Sequence, residues 1–491
     1  MSARLTSPDG LPKGVRPGYR PEDHAPGIVH LGLGAFHKAH QAVYTDDALA
    51  AEGGDWRIIG VSLRSTAPSE ELTPQNGLYT IIERGAGGSS ARVIGSIARA
   101  LALKNDRQAV LDALLDPGIR IVSLTVTEKG YGIDRATGGI DRTHPAIAAD
   151  LAAPDEPRGV AGLLVWALGQ RRAAGVPPFT VLCCDNLPEN GKMLRGLLVD
   201  FARHAAPDLA DHIANEVAFP STMVDRITPA RGSGTLELAE RMIGLRDEAA
   251  VETEGFRQWV IEDHFPTGRP AWEAGGAIFV SEVRPYEDMK LRMLNGSHSM
   301  LAYSGFLAGH RYVRDVMQDA SLVTLIERHL AAAAGTLSPL SGVDFGDYAK
   351  SLLERFTNPH LAHETYQIAM DGTEKLPQRI LAPAKDAAES GQPLAPFAFA
   401  VAAWMRYVLG RTDGGETYAL RDPREAELAE HVACLRTAKD VARSLLSLPG
   451  LFPDPLRRNA DWTDAVTSRL ATMMAQGMRQ AIDREADAAL G

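Results

Sequence analysis

Ile28-Val-His-Leu31 runs straight into Gly32-Leu-Gly34-Ala-Phe36-His37, after which residues 39–51 have helical composition. A short apolar β run, a glycine turn and a helix, in that order, open a parallel α/β unit of the dinucleotide-binding kind. The first glycine allows a tight turn, and the second lets a pyrophosphate approach the backbone. The third glycine of the usual pattern is absent, and His37 stands in its place. Gly32, Gly34, Phe36 and His37 are therefore the first candidates for contact with a cofactor.

The alternation continues. Residues 56–61 form the next strand candidate and 107–115 a helix. Residues 119–126 form a β-rich run ending in Thr127-Glu128-Lys129-Gly130. After helical residues 159–174, residues 179–184 form an apolar strand that ends at Asp185-Asn186. Strands alternating with helices predict a mostly parallel sheet. From about residue 286 long helical patterns take over, at 286–309, 311–335, 347–355, 395–410, 424–447 and 463–488. A chain of 491 residues exceeds a single core. The expected fold class is α/β: a Rossmann-type, mostly parallel sheet domain over 1–285, then a mainly α-helical domain over 286–491.

Bulk properties remove several function classes. Lys and Arg number 51 against 62 Asp and Glu, a net charge of −11, so no basic excess exists to hold nucleic acid or anionic lipid. No run approaches the ~18 apolar residues of a membrane span. The first residues lack the apolar core of a secretion signal. Cys183, Cys184 and Cys434 make neither a disulfide framework nor a zinc cluster. A cytoplasmic, metal-free protein is expected, with a small-molecule partner rather than nucleic acid or membrane. Its oligomeric state is open, a monomer included.

Binding groups concentrate at the carboxyl ends of parallel strands. The second strand ends Val61-Ser-Leu63-Arg64, without the acidic residue that accepts the ribose hydroxyls of NAD. Arg64 is either a partner for a 2′-phosphate or a solvated loop cation, so the residues leave NAD and NADP both open. Glu128 and Lys129 stand at another strand end. Asn186 is placed either to donate to a developing alkoxide or to cap the following helix. Asp225-Arg226 reads either as part of a site or as a surface ion pair.

In Pro285-Tyr-Glu287-Asp-Met-Lys290-Leu-Arg-Met-Leu-Asn295-Gly-Ser-His298 a lysine, an amide and an imidazole share one broad helical face. At ~100° per residue Asn295 stands about 140° round from Lys290, and His298 about 80°. Such a trio either removes a proton from an alcohol and steadies the resulting oxyanion, or makes a solvated face. Leu291 and Leu294 border it, and burial favours the neutral amine that a base near neutral pH requires. The run falls where the sheet domain is expected to give way to the helical one, a usual place for a ligand.

With these motifs in order, the chain resembles the polyol-specific long-chain dehydrogenases, the family of mannitol 2-dehydrogenase and fructuronate reductase (mannonate oxidoreductase). The likeness runs from about residue 28 to the C-terminus. It rests on Gly32-Leu-Gly-Ala-Phe-His37, Thr125-Val-Thr-Glu-Lys-Gly130, Cys184-Asp-Asn186, Met223-Val-Asp-Arg-Ile227, Phe256-Arg-Gln-Trp-Val-Ile-Glu-Asp263 and Lys290-x4-Asn295-x2-His298. The resemblance implies metal-independent hydride transfer between NAD, or NADP, and a secondary alcohol or ketone. It makes Lys290 the general base and Asn186 and Asn295 the oxyanion donors. It makes His298 a substrate-orienting group, Asp225 a substrate ligand and Glu287 a group linked to proton exchange with solvent. Gln367 stands where mannitol enzymes carry a substrate-contacting arginine, and the family lysine after it is kept as Lys375. The stretch Gln367-Ile-Ala-Met-Asp-Gly, with Lys375-Leu-Pro-Gln-Arg379, looks closer to the mannonate oxidoreductases. Lys375 and Arg379 are then either partners of a substrate carboxylate or exposed surface charges. D-mannonate/D-fructuronate is the expected substrate pair. D-mannitol/D-fructose or another hexitol or pentitol is the alternative, and a non-catalytic nucleotide sensor a remote one.

Overall fold

The computed structural model describes residues 2–85, 87–134, 137–340, 342–360 and 363–490, and divides into two compact units, Met1–Arg284 and Pro285–Gly491. Among the described residues the first unit has eleven strands: β1 (Pro26–Leu31), β2 (Arg57–Ser62), β3 (Tyr79–Gly85), β4 (Gly88–Ile94), β5 (Ile97–Ala102), β6 (Ile121–Leu124), β7 (Thr180–Cys183), β8 (Thr222–Asp225), β9 (Val251–Glu254), β10 (Gln258–Glu262) and β11 (Ile278–Val280). Five of them form the main sheet in the order β5-β2-β1-β6-β7, with every neighbouring pair parallel.

These strands form because their apolar runs are covered on both faces, the pattern of a parallel sheet. The period of two sends Val29 and Leu31 to one face, with Val122, Leu124 and Val181. The helices Arg107–Leu115, Val160–Ala173 and Asn190–Ala205 close that face through Val110, Leu114, Leu164, Leu168, Leu197 and Phe201. Ile28, Ile58, Ile121 and Leu182 point the other way, onto the helix Gln41–Glu52 and the buried indoles of Trp259 and Trp272. Strands β2 and β5 lie on one side of β1, and β6 and β7 on the other. The strand order therefore reverses between β1 and β6, where open α/β sheets leave a crevice at their carboxyl ends.

Two three-stranded sheets, β4-β3-β9 and β11-β10-β8, add antiparallel pairs that the sequence reading did not name. Strand β5, a member of the main sheet, is not among the strands expected from sequence.

The second unit is helical. Its helix Gly296–Leu307 is buried almost all round, and packs on Ala320–Gly335, Thr365–Ala369 and Ala395–Val408. An all-round buried helix is the centre of its unit rather than a surface element. Ala460–Gln476 covers Ala395–Val408 from outside, and Met478–Leu490 packs on Ala320–Gly335. The expected helix 311–335 is broken at Asp319, whose carboxylate accepts from the amides of Ser321 and Leu322 and starts the helix Ala320–Gly335. Among the described residues no helix is long and apolar enough to cross a membrane.

Candidate functional site

In the first unit the glycine turn sits at the switch point. Gly32 has φ +107°, and a Cβ there would stand 2.1 Å from the carbonyl oxygen of Thr125, so only glycine lets β1 leave the sheet beside the end of β6. Thr125 Oγ1 donates to the Gly32 carbonyl at 3.0 Å. Beneath the turn, the His30 ring lies 2.8 Å from Ser123 Oγ and 2.9 Å from Thr125 Oγ1.

His37 stacks on His30 with ring centroids 3.5 Å apart and planes 13° from parallel. The usual third glycine permits close helix–strand packing; here two stacked imidazoles make that contact instead. The expectation that His37 faces a cofactor is corrected on this point, since its side chain is fully buried under the turn. Burial pulls His37 and His40 down to about 3, and pulls His30 well below the usual histidine value with help from His37. All three imidazoles are thus neutral at pH 7 and supply no positive charge to a phosphate. The helix after the turn begins earlier than the expected 39–51 and is broken once. It stops at Ala39 and restarts at Gln41, because His40 takes φ −121°, ψ −92°. Phe36, half-buried, stacks on the His40 ring at 5.0 Å.

A cleft of about 390 Å³ opens at the ends of β1 and β2, lined among others by Gly34, Lys38, Arg64, Ser65, Glu71 and Arg231. Its size is that of a small-molecule site. The nearest atom to a Cβ on Gly34 is 3.7 Å away, so the backbone there is open to close approach. These features fit one end of a dinucleotide. Arg64 is exposed at the cleft, and Glu71 is paired with Arg231. Lys38 is buried, donates to the Ala249 carbonyl at 2.9 Å, and is brought by desolvation to about 8.

The ends of β6 and β7 are tied by Asp185. Its carboxylate accepts from the amides of Val126 at 2.9 Å and Thr127 at 3.1 Å, and from Tyr131 Oη at 2.6 Å. Thr127 is held at φ +68°, a left-handed conformation that a β-branched residue rarely takes. Glu128 and Lys129 follow on an exposed 3₁₀ turn. Asn186 is exposed beside Asp185. The helix-cap alternative for Asn186 fails: the helix Asn190–Ala205 has Glu189 at its N-cap, and the Asn190 side chain ties the helix start to Asp185 O and Thr222.

Asp225, 6 % exposed, ends β8. Its neighbour Arg226 is not the surface ion-pair partner that its position suggested. It is buried, and donates to Ala39 O at 2.6 Å, Glu254 O at 2.9 Å and Glu83 Oε1 at 2.6 Å. Arg226 therefore pins three segments of the fold. Thr127 was not singled out from sequence, and the partners of Asp185 and Arg226 could not be, since they lie far along the chain.

In the second unit Lys290 is 7 % exposed, His298 8 % and Glu287 9 %. The solvated-face alternative for this run is therefore set aside. The run is also not plain α-helix. Lys290–Asn295 is a π-helical turn, in which the Gly296 amide reaches back to the carbonyl of Leu291, five residues earlier. An i→i+5 repeat brings residue i+5 nearly above residue i, so Lys290 and Asn295 share one side more closely than α geometry allows. A second π turn, Pro377–Leu381, packs on the first. A Cβ on Gly296 would stand 2.8 Å from the Arg379 carbonyl, so that glycine makes the close approach possible.

His298 meets the Phe356 ring at 4.6 Å and the His363 ring at 5.3 Å. Desolvation first, then His363, Arg355 and Arg379, hold it well below the usual value, so it is neutral at pH 7. Arg379 donates to Ser299 Oγ at 3.3 Å. Lys375 donates to Ile368 O at 3.2 Å and Met370 O at 2.6 Å, and its ammonium is 3.5 Å from Asp371. Neither cation is the free surface charge that sequence left open, while Gln367 is exposed.

Comparison with known proteins gives matches over almost the whole chain. The model of the mannitol dehydrogenase Rossmann domain matches residues 26–274, and that of the mannitol dehydrogenase C-terminal domain residues 282–474. The D-mannonate oxidoreductase of Escherichia coli K12 is 44% identical over 460 residues, 93% of this chain and 94% of that protein. A crystal structure of D-sorbitol dehydrogenase in substrate-free form superposes with TM-score 0.91 at 35% identity, over 98% of this chain and 100% of that one. The Pseudomonas fluorescens mannitol 2-dehydrogenase ternary complex with NAD and D-mannitol superposes with TM-score 0.81 at 37% identity, over 99% of each chain.

Proposed function

The chain belongs to the mannitol dehydrogenase family, and from that premise we propose that it moves a hydride between NAD and a secondary alcohol or ketone of an open-chain sugar derivative. The observation that carries the proposal is the π turn. It brings a buried lysine and an amide donor to one side of a helix whose next turn carries a neutral imidazole.

Gly32, Gly34 and the Arg64 cleft of the first unit would hold the pyrophosphate and adenosine end of the dinucleotide, whose nicotinamide would supply the hydride acceptor or donor. Lys290 takes the proton of the substrate hydroxyl as the C–H bond is lost, and returns it in the reverse direction. Asn295 donates to the oxygen as it gains negative character, and the family resemblance gives Asn186 the same part; one such donor is worth about 3–4 kcal/mol of barrier in a dry site. His298, being neutral, orients a substrate hydroxyl by hydrogen bonding rather than by charge. Asp225 accepts from another hydroxyl. Glu287 lies one helical turn before Lys290 and passes its proton toward solvent.

For the substrate we propose the pair D-mannonate/D-fructuronate, on the Gln367–Arg379 stretch and the likeness to D-mannonate oxidoreductase. A panel of D-fructuronate, D-fructose and pentuloses with NADH and NADPH, read by loss of reduced-nicotinamide absorbance, tests it. D-fructuronate should give the highest kcat/KM. A preference for a neutral ketose would overturn the substrate and leave the reaction class standing.

A further inference from the structure

Arg379 occupies an unusual position for an arginine. It is half-buried in the second unit, yet among the described residues its guanidinium makes one hydrogen bond, the 3.3 Å contact to Ser299 Oγ, and no ion pair. Its remaining N–H donors are unspent. A desolvated cation without a counter-charge is costly, and proteins resolve that cost with an anionic partner.

The surroundings repeat the pattern. Tyr303 lies one turn beyond Ser299 on the helix Gly296–Leu307, so the two share the face that Arg379 reaches. The Tyr303 hydroxyl is buried and has no hydrogen-bond partner among the described residues. Through the Ser299 contact and this shared face, the unpartnered hydroxyl and the under-used guanidinium lie in one neighbourhood. The Tyr303 oxygen and Trp404 Nε1 both stand over Gly372, 2.9 and 2.6 Å from where a Cβ would be, so only a residue without a side chain fits beneath them. The nearest carboxylate that Arg379 feels, Asp371, is 3.5 Å from the Lys375 ammonium. Lys375 in turn spends its donors on Ile368 O and Met370 O. The lysine therefore shapes the loop, and Arg379 is left with donors to offer.

We propose that Arg379 and Tyr303 form a carboxylate seat, in which the guanidinium takes both oxygens of a sugar-acid carboxylate and the tyrosine hydroxyl donates to one of them. An arginine fork matches a carboxylate in two parallel hydrogen bonds, which an ammonium cannot do. Ser299 holds the fork in plane, and the packing of the two π turns fixes the seat's backbone beside the Lys290 helix. The seat makes the substrate an aldonate or ketouronate rather than a neutral polyol. It rests on the proposed hydride transfer for its kinetic readout, but not for its binding readout.

The test uses the full chain and the variants Arg379→Gln, Arg379→Lys and Tyr303→Phe, each checked for an unchanged melting profile and NADH affinity. Loss of a desolvated charge pair costs a hundredfold or more. In Arg379→Gln, kcat/KM for D-fructuronate should therefore fall by roughly a hundredfold more than kcat/KM for D-fructose, mainly through KM. Arg379→Lys should recover part of the loss, and Tyr303→Phe should lose roughly tenfold. In calorimetric titration D-mannonate should bind the wild type more tightly than D-mannitol does, and lose that advantage in Arg379→Gln. Equal losses on the charged and neutral substrates, or a mannonate advantage that survives Arg379→Gln, would overturn the seat. Absence of turnover on every substrate, with Arg379-dependent mannonate binding intact, would overturn the hydride-transfer reading and support the seat. If Arg379→Gln does not fold, the Tyr303→Phe ratio and the mannonate titration decide the matter.

Discussion

Lowering the pH should weaken the first unit by an amount set by the imidazoles beneath the glycine turn. His30, His37 and His40 are fully buried, with His37 and His40 held at about 3 and His30 well below the usual value. In the unfolded chain each has a pKa of about 6.5. Between these limits the unfolded state binds more protons, so stability falls as pH falls. From about pH 7.5 to about pH 5.5 His37 and His40 each remove about 1.4 kcal/mol, together about 3 kcal/mol, and His30 acts in the same direction. Two other buried groups titrate nearby. Asp46, raised by desolvation to about 6, takes its proton in the folded state first and returns about 0.8 kcal/mol over the same interval. Lys38, at about 8, is largely protonated in both states by then and changes the sum by only about 0.2 kcal/mol. The net expectation is a loss of at least about 2 kcal/mol. Urea unfolding followed by tryptophan fluorescence reads it, because Trp259 packs against His40 with ring centroids 5.7 Å apart. Replacing His37 by Gln should remove about 1.4 kcal/mol of the pH dependence. A stability that is flat across this interval, or that rises on acidification, would refute the reasoning by showing that the imidazoles are solvated or charged in the folded state.

Other perturbations follow from the same contacts. Gly32→Ala forces a methyl group to within 2.1 Å of the Thr125 carbonyl at a φ of +107°, so the β1–β6 junction must open; NADH affinity should fall at least tenfold and the melting temperature should drop, whereas near-normal cofactor binding would contradict the role given to the turn. Arg226→Met removes a buried guanidinium that holds Ala39, Glu83 and Glu254; it should cost about 3 kcal/mol in urea unfolding, while a loss within about 1 kcal/mol would mean the residue behaves as a surface ion pair after all.

Much of the main sheet was legible because β1, β2, β6 and β7 are short apolar runs between glycine or polar turns, buried on both faces. Strands β3 and β4 were not, since β4 opens on the exposed Gly88, Ser89 and Ser90 and carries the half-buried Arg92, without the apolar signal of a core strand. Their stability comes from pairing with each other and with β9, more than a hundred residues away along the chain. The Lys290–His298 run stood out in the sequence by its residue types, but its geometry did not. No propensity marks a π turn; here it is paired with a second π turn whose approach depends on Gly296. Arg226 shows the same limit from the other side. Its neighbour Asp225 suggested a local pair, whereas its partners come from three distant segments. His37 sits where a glycine is usual, and only the stacked ring of His30 explains why a larger residue fits.

The central claim is that this chain transfers a hydride with Lys290 as the base. Single-turnover oxidation of NADH on mixing with D-fructuronate, in the wild type and in Lys290→Ala, tests it most directly. The wild type should consume NADH, and the variant should do so about a thousandfold more slowly while binding NADH with unchanged affinity. A variant that turns over at close to the wild-type rate, or a wild type that leaves NADH untouched with this and every related ketose, would contradict it.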